Sequence, residues 1–293
     1  MELDYIKLKQ IKPALTGYIT DASNLLKPAH FPYEKTIHDV RVLMKKARSA
    51  LKLVTPQLDP EFAGREKRAL REVGRIMCTW RDTSVFRKTL KDLKKDRPDI
   101  FSKLEDNEQI TSLMKKPEPE QVLPEDVQTV LQQIREILKK TGYRFRFEPM
   151  NNLDAQLLLK ELEVTYNCVA YNYLVCRNNP KQPKLHELRK RSKDFLYQLW
   201  FFRPLNPSVV KALENKLDVM TQNLGKYNDL ARLINTIDYK FDISANNPAL
   251  DELIVIIREK QDKYLSKVWP VTYKIFCPGQ KLVNVLGFRL LVI

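Results

Sequence analysis

Residues 37–54 read IHDVRVLMKKARSALKLV and residues 185–202 read LHELRKRSKDFLYQLWFF; each opens with an aliphatic residue, His, an acid, an aliphatic residue and Arg. At an offset of 148 residues His38 aligns with His186, Arg41 with Arg189 and Lys45 with Lys193. A second echo follows: Trp80-Arg81-Asp82 ends 44 residues after the first His, and Tyr227-Asn228-Asp229 ends 43 after the second. Two of the chain's 3 histidines thus hold corresponding positions, and a duplicated unit is the economical explanation. The connection between the copies reads as 142–152, giving halves of 1–146 and 147–293.

Helical periodicity runs through both halves, and no apolar/polar alternation is long enough for a sheet. The pattern predicts helices over 11–28, 34–54, 61–80, 82–96, 98–115, 124–141, 153–178, 184–202, 207–224, 226–240 and 247–276. Breakers stand where a bundle needs turns: Pro32, Pro56, Pro60, Pro98, Gly142, Pro180, Pro183, Pro204 and Pro207. The Pro117, Pro119 and Pro124 stretch reads as a surface loop. Tyr143–Phe147 and 279–293 are the least regular segments, the latter an apolar strap or short strand.

At about 100° per residue, Arg41, Lys45, Arg48 and Lys52 fall on one side of His38, while Val40, Met44, Ala47 and Leu51 fall opposite. The second copy repeats this. His186, Arg189, Lys193 and Tyr197 form a stripe with Lys190 beside it, backed by Leu188, Phe195, Leu199 and Phe202. Solvated helix faces usually mix signs, because Glu–Lys pairs one turn apart support them. Here Asp39, Glu187 and Asp194 lie off the stripe's centre, so the faces repel themselves unless an anion meets them. Arg75 joins the candidates by helical phase. Asp82 and Asp229 either fix a nearby Arg or cap a following helix.

The totals agree with a polyanion binder. Lys and Arg number 51 against 36 Asp and Glu, a formal charge of +15, which attracts nucleic acid, anionic membrane or polyphosphate alike. Hydrophobic residues at 43% suffice for a sizeable core. With only 7 glycines and neither glycine-rich nucleotide fingerprint, a phosphate-cradling loop is not expected. Cys78, Cys168, Cys176 and Cys277 show no C-x-x-C pairing and read as buried reduced thiols. The charged start MELDYIKLKQIK lacks the apolar core of a secretory signal, and no apolar run could span a bilayer, so a cytoplasmic protein is expected.

These residues resemble the CHAD domain, the conserved histidine α-helical domain. Its His-x-x-Arg and following basic run are similar to His38-Asp39-Val40-Arg41 with Lys45, Lys46 and Arg48, and to His186-Glu187-Leu188-Arg189-Lys190-Arg191. Its Arg-Asp before a helix is similar to Arg81-Asp82, and its second-half motif to Leu224-Gly225-Lys226-Tyr227-Asn228-Asp229. The resemblance covers about 11–275. It implies an all-α fold of two four-helix bundles related by a pseudo-two-fold axis, with a basic groove or pore between them. It also implies binding of inorganic polyphosphate and association with polyphosphate granules; no catalytic residues are expected, since no second acid stands near Asp82 or Asp229. By motif position, that binding extends to His38, Arg41, Lys45, Lys46, Arg48, Arg81, His186, Arg189, Lys190, Lys193 and Lys226. Two departures stand out: Cys78 replaces a frequent Gly, and Asp194 sits opposite Lys46 in the alignment of the copies.

Two other functions compete. RNA or DNA binding would want aromatic platforms among the charges, and of the aromatics only Tyr197 and Tyr227 escape the apolar faces. A metal-dependent phosphohydrolase would need more ligands than His38-Asp39 supplies, with only His30 and His186 left as imidazoles. No cofactor or metal is expected.

Overall fold

A computed structural model describes residues 8–27, 34–79, 82–115, 125–150, 152–240 and 248–287. Among them every regular element is a helix: α1 (Ile11–Leu25), α2 (Glu34–Val54), α3 (Pro60–Thr79), α4 (Asp82–Asp96), α5 (Pro98–Lys103) and α6 (Glu108–Met114), then α7 (Glu125–Phe147), α8 (Ala155–Asn178), α9 (Gln182–Leu199), α10 (Pro207–Lys240), α11 (Pro248–Phe276) and α12 (Leu282–Leu286). Several prolines open helices instead of merely ending them. Pro60, Pro98, Pro207 and Pro248 each occupy a first helical position, where the missing N–H has no partner to lose. Asp154 caps α8 by accepting from the backbone N–H of Gln156 at 2.7 Å and Leu157 at 3.2 Å.

Beyond shifts of two or three residues at helix ends, four segments depart from the periodicity. The segment 98–115 breaks into α5 and α6, because the Asn107 side chain caps the second helix by accepting from the Ile110 N–H at 3.1 Å. Helix α7 continues through Gly142 to Phe147, so Tyr143–Phe147 is helical. A Cβ at Gly142 would stand 3.3 Å from Ile19 of α1, so the glycine serves close helix contact there, not a turn. Similarly α10 passes unbroken through Gly225 as a 34-residue helix. The C-terminal stretch forms one helical turn, α12, closed by Gly287 in the left-handed region at φ 68°. Residues 288–293 and the proline-rich 117–124 stretch lie outside the described residues.

Helices α1, α2, α3 and α7 pack as a closed four-helix bundle, and α8, α9, α10 and α11 close a second. The two are joined where α2 lies against α8 and α9. One hydrophobic core runs through both, from Leu15, Met44 and Phe145 to Phe195, Met220 and Phe276. A smaller core seats Leu90 of α4 and Ile100 and Phe101 of α5 on Leu233 of α10 and on Leu253 and Ile257 of α11. The first half therefore leans on the second in two places. Burial in these cores, at about 25 cal/mol per Å2 of apolar surface, is what holds the helix faces in register.

Candidate functional site

The apolar backs of α2 and α9 turn into the core, and this alone brings their basic edges to one junction. The helices cross at Ser49, which is buried. Its Oγ donates to the Asp194 carbonyl at 2.7 Å, and its own carbonyl accepts from Gln198 Nε2 at 3.1 Å. Ser49 and Gln198 carried no signal in the periodicity beyond being polar residues on apolar faces.

Charges of the two helices act on one another here: Lys45 of α2 on His186 of α9, and Arg48 and Lys52 of α2 on Asp194 of α9. The His186 imidazole is held below its ordinary pKa, first by partial burial, then by Arg189, Lys190 and Lys45, with Glu187 opposing them. The positive charge of Lys45 on the first stripe is thus felt at the second. Arg48 is pulled below the usual guanidinium range by burial and by Arg71, against Asp194. Asp194 is more central than its helical phase implied. Burial raises its carboxyl pKa in spite of Lys52, Arg191, Arg48 and Lys190.

The two arginines of the His-x-x-Arg segments do the same thing. Arg41 Nη1 donates to the Gly74 carbonyl of α3 at 2.7 Å, and Arg189 Nε donates to the Thr221 carbonyl of α10 at 3.2 Å. Each guanidinium ties its helix to the next. Arg41 Nε is buried without a hydrogen-bond partner, and Gly225 lies so close to Arg189 that a Cβ there would meet Nε and Nη2 at 3.2 Å.

Several candidates, at the junction and away from it, hold partners of their own. Lys193 pairs with Asp218 of α10 at 2.9 Å and stands 5.8 Å from the Tyr197 ring, whose hydroxyl is pushed up to about 12 by burial. Lys190 is exposed and pairs with Glu187 at 3.2 Å. Lys46 turns toward α1, 5.8 Å from the Tyr18 ring. Arg75 is exposed and grips Glu72 of its own helix through two N–H groups, at 2.7 and 3.0 Å. His38 and Lys226 share a cleft of about 650 Å3 between α2, α4, α10 and α11, where Lys88 and Lys260 face Asp92, Asp96 and Asp229. That cleft mixes signs. Asp229 lies inside α10, so its capping role falls away. Arg81 lies outside the described residues.

Elsewhere the cysteines are free, but only Cys176 is buried; the other three are half-buried. Among the described residues no three His, Cys, Asp or Glu side chains converge as a metal site, and no helix is long and apolar enough to cross a membrane.

Comparison with curated protein sequences gives no match. Among solved structures, the crystal structure of the CHAD domain from the plant Ricinus communis is similar at 14% identity, covering 99% of this chain and 96% of that one with a TM-score of 0.49. The CHAD domain family model matches residues 32–238, which take in the two His-x-x-Arg helices and everything between them, and the chain therefore belongs to the CHAD domain family.

Proposed function

We propose that the protein binds inorganic polyphosphate at the α2–α9 junction and acts as a binding module, not an enzyme. The observation that carries this reading is the crossing of α2 and α9 at Ser49, which brings two basic helix edges together, so that Lys45 of one adds to Arg189 and Lys190 of the other at His186. Held this close, the cations repel one another, and a multivalent anion removes the repulsion. Polyphosphate offers a charge at every unit and no other feature to read. Arg can grip two oxygens and Lys serves as a point charge, so a row of both suits it. Family membership is what favours polyphosphate over other polyanions. The halves 1–146 and 147–293 are read as two pseudo-two-fold copies of one unit, and the matched Arg41 and Arg189 bonds support that relation. Recruitment to polyphosphate granules in the cytoplasm belongs to the same proposal.

Lysines test the site better than the arginines, which also tie helices together. Lys45→Ala with Lys190→Ala should weaken binding of labelled polyphosphate by about thirtyfold or more, two charge-assisted contacts of about 1 kcal/mol or more each, while the melting temperature moves by no more than about 3 °C. Parent-like affinity in the double variant would reject the assignment.

A further inference from the structure

The outer face of α7 carries a second feature, unrelated to the α2–α9 junction. Tyr143 and Phe147 stand one turn apart and are 66% and 65% exposed. Their rings lie 4.7 Å apart, tilted by 50°. Lys139, Lys140 and Arg146 flank them, all exposed, and the neighbouring edge of α3 adds exposed Arg68 and Arg71. Lys140, Arg68 and Arg71 line the same groove between the two helices, and the one carboxylate lining it, Glu72, is already held by Arg75 at 2.7 Å. Among the described side chains Glu136 is the one carboxylate on this face of α7, and it accepts from Gln132 at 3.3 Å. Arg144 is not part of the offer, because the buried Glu66 carboxylate holds it at 2.9 Å.

An aromatic pair at this spacing supports its own helix only by a few tenths of a kcal/mol. Two rings left this open, inside a ring of cations, have the composition on which single-stranded nucleic acids dock. Every base has a π-face to lay on them, and the cations meet the phosphates. Polyphosphate would use the cations but has nothing to stack. A membrane surface fits less well. An interfacial helix needs a continuous apolar face, whereas here the two rings are bordered by Gln132, Glu136 and three cations.

We propose that the outer face of α7 and the adjoining edge of α3 form a docking site for single-stranded nucleic acid, with Tyr143 and Phe147 as the stacking platform. This proposal does not depend on the polyphosphate site. The test uses the full chain, a labelled oligo-uridine probe, and an abasic strand of equal length that keeps the phosphates and lacks the bases. Tyr143→Ala with Phe147→Ala should weaken oligo-uridine binding about tenfold, as expected for one or two lost stacking contacts. Binding of the abasic strand and of polyphosphate should stay as in the parent, and Tyr143→Phe with Phe147→Tyr should retain oligo-uridine binding. Unchanged oligo-uridine affinity in the alanine variant would overturn the proposal. So would an equal loss on the abasic strand, or loss of binding to phosphatidylserine vesicles with oligo-uridine binding intact.

Discussion

His186 couples the junction to pH. Partial burial together with Arg189, Lys190 and Lys45 holds its pKa below the ordinary 6.5, opposed by Glu187. In the free protein the neutral ring is therefore favoured. Its contribution to stability is present above about pH 6.5 and is lost as pH falls through the lower folded value. An anion seated among the same cations reverses the local potential and raises the ring's pKa, so binding takes up a proton. By linkage, affinity for polyphosphate should rise as pH falls from about 7.5 to about 6. His186→Gln should flatten that rise, as followed by titration calorimetry across the range. Identical pH profiles for parent and variant would place His186 out of the anion's reach. The same cations explain why Arg189 and Arg41 were legible as special residues but not as helix ties. Sequence phase put them on the basic stripe, and only the packing of α3 and α10 supplied the Gly74 and Thr221 carbonyls they hold.

Helix α10 shows how an element can serve its neighbour's side chain. Gly225 leaves room for the Arg189 guanidinium, which an added Cβ would meet at 3.2 Å. Ala in a helix interior gains about 0.5–1 kcal/mol over Gly. Against this stands a small displacement of Arg189 and a longer bond to Thr221. The two effects oppose, so Gly225→Ala should leave the melting temperature within about 3 °C while polyphosphate affinity falls. Unchanged affinity would show that the placement of Arg189 does not matter for the anion. As a sequence signal Gly225 reads as a breaker, and so does Gly142; both instead sit inside helices where another element comes close. Helices α2 and α4 keep their predicted spans end to end, whereas α9 begins two residues early and ends three residues early, because the chain turns at Trp200 after the last buried position of its apolar face. The split between α5 and α6 was hidden because Asn107 caps through its side chain, with no Pro or Gly to announce it. The salt partners were hidden for a different reason. Asp218 approaches Lys193 from α10, and helical phase says nothing about which helix will be opposite.

At the scale of the whole molecule the question is whether net charge alone accounts for polyanion binding. A formal +15 draws any polyanion to the surface, and such attraction is indifferent to which lysine is removed. A built site is not. Each phosphate contacted releases condensed counterions, so the logarithm of affinity falls linearly with the logarithm of salt, by about 0.7 per contact for a flexible single strand. Taking polyphosphate as a comparable flexible chain, Lys45→Ala with Lys190→Ala should make the slope shallower by roughly 1.4, two contacts at that value. Lys211→Ala with Lys216→Ala removes the same charge from exposed positions on α10 and should leave the slope as in the parent. Measuring polyphosphate affinity across a salt series for the three proteins separates the cases. If both pairs lower the slope alike, the attraction belongs to the whole surface, and the α2–α9 junction has no privileged place in it. If only the first pair does, the crossing at Ser49 has gathered a diffuse positive charge into a site.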